Sequence, residues 1–425
     1  MENIEKIILS LLNLSSKDVE SITSTNMDDH LNLYVTVSSH LKMCPYCHSE
    51  KIKSKGYYPR KISVPERVLR NLDVYLKVKR FQCFNCGHSF SDSKHMAPKN
   101  KTVSYATILQ VMELLKSPSM TFKEVAALSG VSVSTVVRIF DKNCHLKPVV
   151  FPEVVCIDEV YAKDSSYKSK YMCIFYDFAK QNITDVLPSR HKSYLHHYFQ
   201  SFSQQKLDMV RYVCIDMYQP YKDIATIYFK KAIICVDSFH VIKHLNDDLS
   251  QIRIRVMKSY DTDSIEYYLL KHFRFLLFDR TVNLDNKGKY NKKLNRIMNY
   301  RQLLDMMLSI NIDLYNGYNL KEMYMAFNST DNYDNLSDRL NDIIDEFILA
   351  NIEEYSEFVG MIQNWRQEIL NSFSFYNDKR INNSVAEGIN SIISTVMFNS
   401  RGIHNFERRK KRIMYAVNKD GFLIK

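Results

Sequence analysis

Two Cys-x-x-Cys pairs, Cys44-Pro45-Tyr46-Cys47 and Cys83-Phe84-Asn85-Cys86, constrain this chain more than any other feature. A two-residue gap lets both thiolates of a pair reach one tetrahedral ion, and two pairs complete a shell of four. A structural zinc site is therefore expected, with two unrelated thiol pairs as the alternative. The 36 positions from Cys47 to Cys83 exceed the common zinc-ribbon spacing, and a hairpin such as 74–78 would fill the interval. His48 and His88 adjoin the pairs and rank below the cysteines as ligands.

The surroundings of these cysteines are basic. The chain carries a formal net charge of +11, and between Cys44 and Lys101 there are 13 Lys and Arg against 4 Asp and Glu. A concentrated positive field favours a polyanionic partner over general solubility. Lys51, Lys53, Lys55, Arg60 and Lys61 are the candidate DNA contacts. With 425 residues and 45% apolar composition, several domains with real cores are expected. No opening signal peptide and no membrane-length apolar run is visible, so a cytoplasmic, nucleoid-associated protein is expected. Cys144, Cys156, Cys173, Cys214 and Cys235 stand alone and read as small core residues of a reduced protein.

Downstream, Thr121-Phe122-Lys123-Glu124 has the spacing of a capping box, and Gly130 ends the helix that it opens. Ser132 caps a second helix, expected over 133–141. Val136, Ile139 and Phe140 would face inward, leaving Ser134, Thr135 and Arg138 outward to read a major groove. This is a helix-turn-helix pattern, with a plain helical hairpin as its alternative.

From about Phe151 the texture changes to strand, strand, strand, helix, strand, helix, strand, the order of a ribonuclease-H-like core. Asp158 would end the first strand and Asp216 the fourth, with Glu387 on a late helix over 385–396. Three converging carboxylates suit two Mg²⁺ or Mn²⁺ ions for phosphodiester chemistry, because hard oxygen ligands hold such cations. Glu159, Asp177, Asp223 and Asp237 are rivals in the same region. About 150 residues with helical texture separate Asp237 from Glu387, too many for a loop, so an all-helical insertion is expected. Arg253, Arg255, Lys258 and Lys271 offer DNA-facing charge within it, with a solvated helix face as the default reading, and Trp365 reads as buried in a helix bundle, with base stacking as the other reading. Arg401, which lies outside the residues that the structure describes, and the run Arg408-Arg409-Lys410-Lys411-Arg412 suit backbone phosphates, with a free basic tail as the alternative.

Together, the cysteine pairs, the Thr121–Asp141 segment, Ile157-Asp158-Glu159, Asp216-Met217-Tyr218-Gln219-Pro220-Tyr221, Asp237-Ser238-Phe239-His240 and Asn383 through Asn390 carry a resemblance. The chain resembles the ISL3 family of bacterial insertion-sequence transposases, of the DDE class, over nearly its whole length. The resemblance implies that Asp158, Asp216 and Glu387 are catalytic acids and magnesium ligands, with Asp237 and His240 as supporting residues. Ser238 stands where the family has arginine, and Asn383-Ser384-Val385 departs from the usual lead-in. Neither change removes a metal ligand.

The expected organisation is a multidomain mixture of α+β and α/β parts. It comprises an N-terminal segment (1–40), a zinc-binding module (41–98), the helix-turn-helix (99–148) and the first part of the core (149–245). The helical insertion (246–380) and the closing part of the core with a basic tail (381–425) follow. The expected partners are double-stranded transposon ends and target DNA, bound by a homodimer or higher oligomer. Two rivals remain: a catalytically inactive DNA-binding regulator, and a structure-directed nuclease without strand transfer.

Overall fold

The computed structural model describes residues 9, 14–27, 30–63, 72–91, 97, 102–162, 169–400, 403 and 405–419. The chain divides into two units, Met1–Pro148 with Ser391–Lys425, and Val149–Asn390.

The first unit opens with strands β1 (Val19–Met27), β2 (His30–Val37), β3 (Ile52–Ile62), β4 (Leu72–Cys83) and β5 (Ser89–Ser91). They form one sheet in the order β1-β2-β4-β3, with β5 also paired to β4. Strict alternation assigns its faces. Leu33, Val35 and Val37 on β2 and Val74, Leu76 and Val78 on β4 are buried in one core with Ile62. Between them, Tyr34 and Tyr75 stack across the strands at 5.1 Å.

Three helices follow, α1 (Tyr105–Leu114), α2 (Phe122–Ser129) and α3 (Val133–Asn143). Thr121 Oγ1 accepts from Glu124 N while a Glu124 carboxylate oxygen accepts from Thr121 N, a reciprocal cap. Gly130 takes the left-handed conformation (φ 63°) at the end of α2, and Ser132 Oγ accepts from Thr135 N to start α3. Val111, Met112, Leu115, Val125, Val136 and Phe140 pack into one cluster.

The second unit is built on strands β6 (Val154–Tyr161), β7 (Tyr171–Asp177), β8 (Asn182–Leu187), β9 (Tyr212–Ile215) and β10 (Ile233–Val236), in the order β10-β9-β6-β7-β8. β6, β7 and β8 are antiparallel neighbours, whereas β9 and β10 run parallel to β6. Helices α4 (Lys192–Gln200), α5 (Gln204–Leu207) and α6 (Gln219–Tyr228) connect them. Val155, Ile157, Val213 and Ile215 share a buried cluster with Leu195, Phe199, Tyr221 and Ile224 of these helices. Strands buried on both faces read as continuous apolar runs, which is why β6 shows no polar alternation before Asp158.

Next come α7 (Ser238–Lys258), α8 (Ile265–His272), β11 (Lys289–Asn291), β12 (Arg296–Met298), α9 (Tyr300–Leu308), α10 (Ile312–Asn328), α11 (Leu336–Ala350), α12 (Ser356–Asn364) and α13 (Arg366–Asn371). After the hairpin β13 (Phe375–Tyr376) and β14 (Lys379–Arg380), α14 (Ser384–Asn399) begins in this unit. On α7, Val241, Leu245, Leu249, Ile252 and Val256 recur at helical spacing and join the same apolar cluster as the sheet.

The insertion is thus not all helical. The β11–β12 hairpin interrupts it, because the polar segment 286–297 has no apolar stripe with which to pack as a helix. Trp365 is buried and breaks the expected helix over 354–370, with the Lys222 ammonium 4.9 Å from its ring. Arg253 is also buried, donating to the Leu270 carbonyl, while Arg255 pairs with Glu354 and Asp313. Among the described residues, no helix is long and apolar enough to cross a membrane.

The last helix, α15 (Phe406–Val417), belongs to the first unit rather than to the closing part of the core. Tyr415 enters the α1–α3 cluster, edge-on to Phe140 at 5.8 Å. Arg412 is fully buried and donates to the carbonyls of Leu115, Ser117 and Met120, in the connection between α1 and α2. Burial draws its pKa down to about 10, so it stays charged at neutral pH. Replacing Arg412 with Met would strand these carbonyls. The expected loss is about 2–3 kcal/mol of stability, read as a lower urea midpoint for the α1–α3 region.

Candidate metal centre and active site

The four cysteines converge. Their Sγ atoms all lie within 4.8 Å of one another, with Cys44–Cys86 and Cys47–Cys83 each at 3.6 Å. A tetrahedral ion with Zn–S bonds of about 2.3 Å sets sulfur–sulfur edges of roughly 3.8 Å, so the donor set fits zinc. Both knuckles close alike. His48 N donates to the Cys44 carbonyl and Gly87 N to the Cys83 carbonyl, and both residues take positive φ (56° and 74°). The N–H groups of Cys86 and Asn85, working against burial, hold the Cys83 thiol down to about 6, favouring the thiolate that a metal needs. His48 and His88 lie outside the four-residue group, and His88 instead stacks on Tyr46 at 4.7 Å.

The acidic residues gather where the second sheet opens. β6 pairs with β9 only through Cys156, opposite Cys214, whereas its pairing with β7 runs on to Tyr161. Asp158 therefore lies within β6, not at its end, at the level where β9 has stopped and its own pairing is one-sided. Asp216 follows the last residue of β9 directly. Asp237 follows β10 and caps α7, accepting from Phe239 N at 3.3 Å. The same Asp237 oxygen accepts from Asn383 N, also at 3.3 Å, and so ties the lead-in of α14 to the start of α7. His240 Nε2 lies 3.8 Å from the other Asp237 oxygen. Glu387 is exposed in the first turn of α14.

Among the described residues, no three of these acids bring ligand atoms within 4.8 Å of one another. Their electrostatics are nonetheless linked. Burial raises the pKa of Asp216 to about 7, helped by the charges of Glu159 and Asp158. Burial also raises Asp158 and Asp237, with Asp237 acting on the former and Glu387 on the latter. Asp216 Oδ1 is buried without a hydrogen-bond partner. A buried carboxylate oxygen left unpaired costs free energy that a bound cation would recover, so Asp216 fits a divalent metal.

Two arrangements beside these acids escaped the sequence reading. Asn390 donates its amide to Asp158 at 2.8 Å and accepts from the Tyr176 hydroxyl at 2.5 Å, linking α14 to β6 and β7. Its position three residues after Glu387, on the same helical face, is the available signal. Glu159 pairs with Arg190, whose guanidinium lies 4.2 Å from the Tyr171 ring and 4.6 Å from the Tyr218 ring. That charge opposes the upward shift of Asp216.

In the first unit, Lys51, Lys53, Lys55 and Lys61 are exposed, Lys61 pairing with Asp73 at 2.6 Å, and Arg60 is half-buried. Ser134 and Arg138 are exposed on α3, and Arg138 donates to Thr135 Oγ1. Arg408 and Arg409 have partners inside the unit. Arg408 forms a two-pronged pair with Asp141, and Arg409 is buried, donating to the Ile403 carbonyl.

The model of the DDE transposase family of ISL3 type, described as transposase, matches residues 155–413. That span covers more than half of the chain and all of the acids above. The chain belongs to this family. No curated protein matches it. The transposase thus combines a four-cysteine centre that fits zinc with an acidic opening that falls within the matched span.

Two outcomes are expected of the purified transposase. Cys44→Ser or Cys83→Ser should abolish retention of one zinc per chain, measured by elemental analysis after gel filtration. For Asp216, a carboxyl whose folded pKa is raised, stability is greatest below its unfolded pKa of about 4 and is lost as pH rises towards 7. Metal-free Asp216→Asn should therefore melt higher than wild type at about pH 8, by on the order of 2 kcal/mol, with the two converging below about pH 4.

Proposed function

We propose that the chain is a DDE transposase that binds the terminal inverted repeats of its own insertion sequence and catalyses magnesium-dependent DNA cleavage and strand transfer. The observation that carries this reading is the buried, unpaired Asp216 oxygen beside Asp158 at the opening between β6 and β9. The strand order and mixed direction of the second sheet support a ribonuclease-H-like core, and the capped pair α2–α3 supports a helix-turn-helix.

In this reading Asp158, Asp216 and Glu387 would hold two Mg²⁺ or Mn²⁺ ions, which would supply activation of the attacking oxygen and stabilisation of the leaving oxygen. The chain's own groups prepare these ligands. Asn390 fixes the Asp158 carboxylate, so that its second oxygen does not rotate freely. Asp237 holds α7 and the start of α14 together, which makes it a positioning residue for Glu387, with His240 beside it. Burial keeps water from screening Asp158 and Asp216, which would strengthen their hold on a cation.

Recognition falls to the first unit. The zinc centre holds the knuckles, the exposed Lys51, Lys53, Lys55 and Lys61, with Arg60, approach phosphates, and Ser134, Thr135 and Arg138 read base edges. Arg408 and Arg409 instead brace α15, since their internal partners occupy them. Bringing two ends together favours a homodimer or higher oligomer.

The test is cleavage and joining of a labelled element-end duplex with Mg²⁺, comparing wild type with Asp216→Ala. Wild type should nick and join, and the variant should lose at least about 1,000-fold in rate, the scale on which such metal ligands act. Cleavage without joining would indicate a nuclease. Tight binding with no cleavage by either protein would indicate a DNA-binding regulator.

A further inference from the structure

The β11–β12 hairpin plays no part in the site described above, yet its composition is unusual. Between Asp285 and Asp305 there is no acidic residue, while Lys287, Lys289, Lys292, Lys293 and Arg296 fall within ten positions. The nearest carboxylate in sequence, Asp285, is occupied by a two-pronged pair with Arg301 at 2.6 and 2.8 Å. Among the described residues, no carboxylate pairs with any of the five cations, and all five are exposed. Like charges this close repel, so the arrangement costs stability unless something anionic covers it.

The hairpin is also well anchored, unlike a solvated basic tail. Asn291 Oδ1 accepts from Lys293 N and Leu294 N, closing the turn, and Tyr300 N donates to Asn286 Oδ1 at the base. Met298 is buried, and Leu294 packs against the apolar cluster of the unit. Gly288 lets the strands approach, since a Cβ there would come within 2.9 Å of Ile297 Cγ2. Directly across the ladder, Tyr290 and Ile297 form a pair that is 59% and 69% exposed. A rigid ribbon bearing uncompensated cations and an exposed aromatic–aliphatic pair has the chemistry of a DNA-binding wing, with cations for phosphates and apolar tips for a groove.

We propose that the hairpin Lys289–Met298, with Lys287 beside it, is a second DNA-contacting element of the transposase, engaging the backbone of duplex DNA. The proposal rests on the chain acting on DNA. It does not depend on catalysis, because binding is measured separately from cleavage.

The test compares the full-length protein with a variant carrying Lys287→Gln, Lys289→Gln, Lys292→Gln and Lys293→Gln. The control is Lys206→Gln with Lys230→Gln, two exposed lysines elsewhere in the same unit. Fluorescence anisotropy over a salt series, without Mg²⁺, reads affinity for an element-end duplex and for an unrelated duplex of equal length. Joining to a target plasmid is read in parallel with Mg²⁺. The hairpin variant should lose on the order of 100-fold in affinity near 0.1 M salt, and its log–log salt slope should shrink by about 3, given about 0.9 per phosphate contact. The control should change neither. Loss with the end duplex assigns the hairpin to element ends. Normal end binding with impaired joining assigns it to target DNA. Unchanged binding to both duplexes together with unchanged joining overturns the proposal, as does a wild type that binds no duplex. If the quadruple variant melts lower than wild type, Tyr290→Ala and Lys292→Gln with Lys293→Gln, all at the exposed tip, replace it under the same criteria.

Discussion

Carboxylates do not gather in a protein interior without compensation, and the second unit is organised around supplying it. Desolvation, more than the neighbouring charges, raises the pKa of Asp158, Asp216 and Asp237, because a charge in a low-dielectric setting lacks the water that would stabilise it. Each acid receives partial compensation from a different element. Asp158 takes the Asn390 amide and the Glu159 N–H, Asp237 takes two backbone N–H groups, and Asp216 is left with one bare oxygen. The shortfall is electrostatic, and a divalent cation, as proposed, would answer it directly. Strain of this kind at a site, compensated elsewhere in the fold, is what a preorganised metal-binding cleft requires.

The sheet topology creates the space for this arrangement. A strand paired on both sides has no room for a polar cleft, but β6 loses one neighbour after Cys156, opposite Cys214, while keeping the other. Asp158 is held by the continuing β7 ladder and open on the side that β9 has left. α14 then approaches with Asn390, and the Tyr176 hydroxyl fixes that side chain in turn. The position of the acid helix is thus set by a buried hydrogen-bonded chain and by the Asp237 bond to Asn383, not by apolar packing alone.

Basic residues follow two different fates. Around the cysteine knuckles, lysines stay exposed because β3, the edge strand of its sheet, is open to solvent over nearly its whole length. In α15 a run of five consecutive cations has a different outcome. Arg412 and Arg409 turn into the unit, where they donate to carbonyls between α1 and α2 and at Ile403, and Arg408 turns to Asp141. A guanidinium is well suited to such bonds, because its planar array of donors can serve several carbonyls at once.

Much of the local structure was legible without coordinates, because its causes are local. Thr121, Glu124, Gly130 and Ser132 mark the ends of two helices through bonds to their own neighbours, and Cys-x-x-Cys spacing by itself bends a chain around an ion. The order of strands and helices after Phe151 likewise follows from runs of β-branched residues and their breaks. What the sequence could not settle was everything that depends on which distant group arrives opposite. It did not indicate that β6 continues past Asp158, that Asn390 completes the coordination of that carboxylate by hydrogen bonds, or that Trp365 lies under a lysine. Nor did it separate the arginines that cap carbonyls from the lysines that remain in water. Charge is written in the sequence, but whether a charge is solvated, paired or buried is decided only when tertiary packing chooses its neighbours.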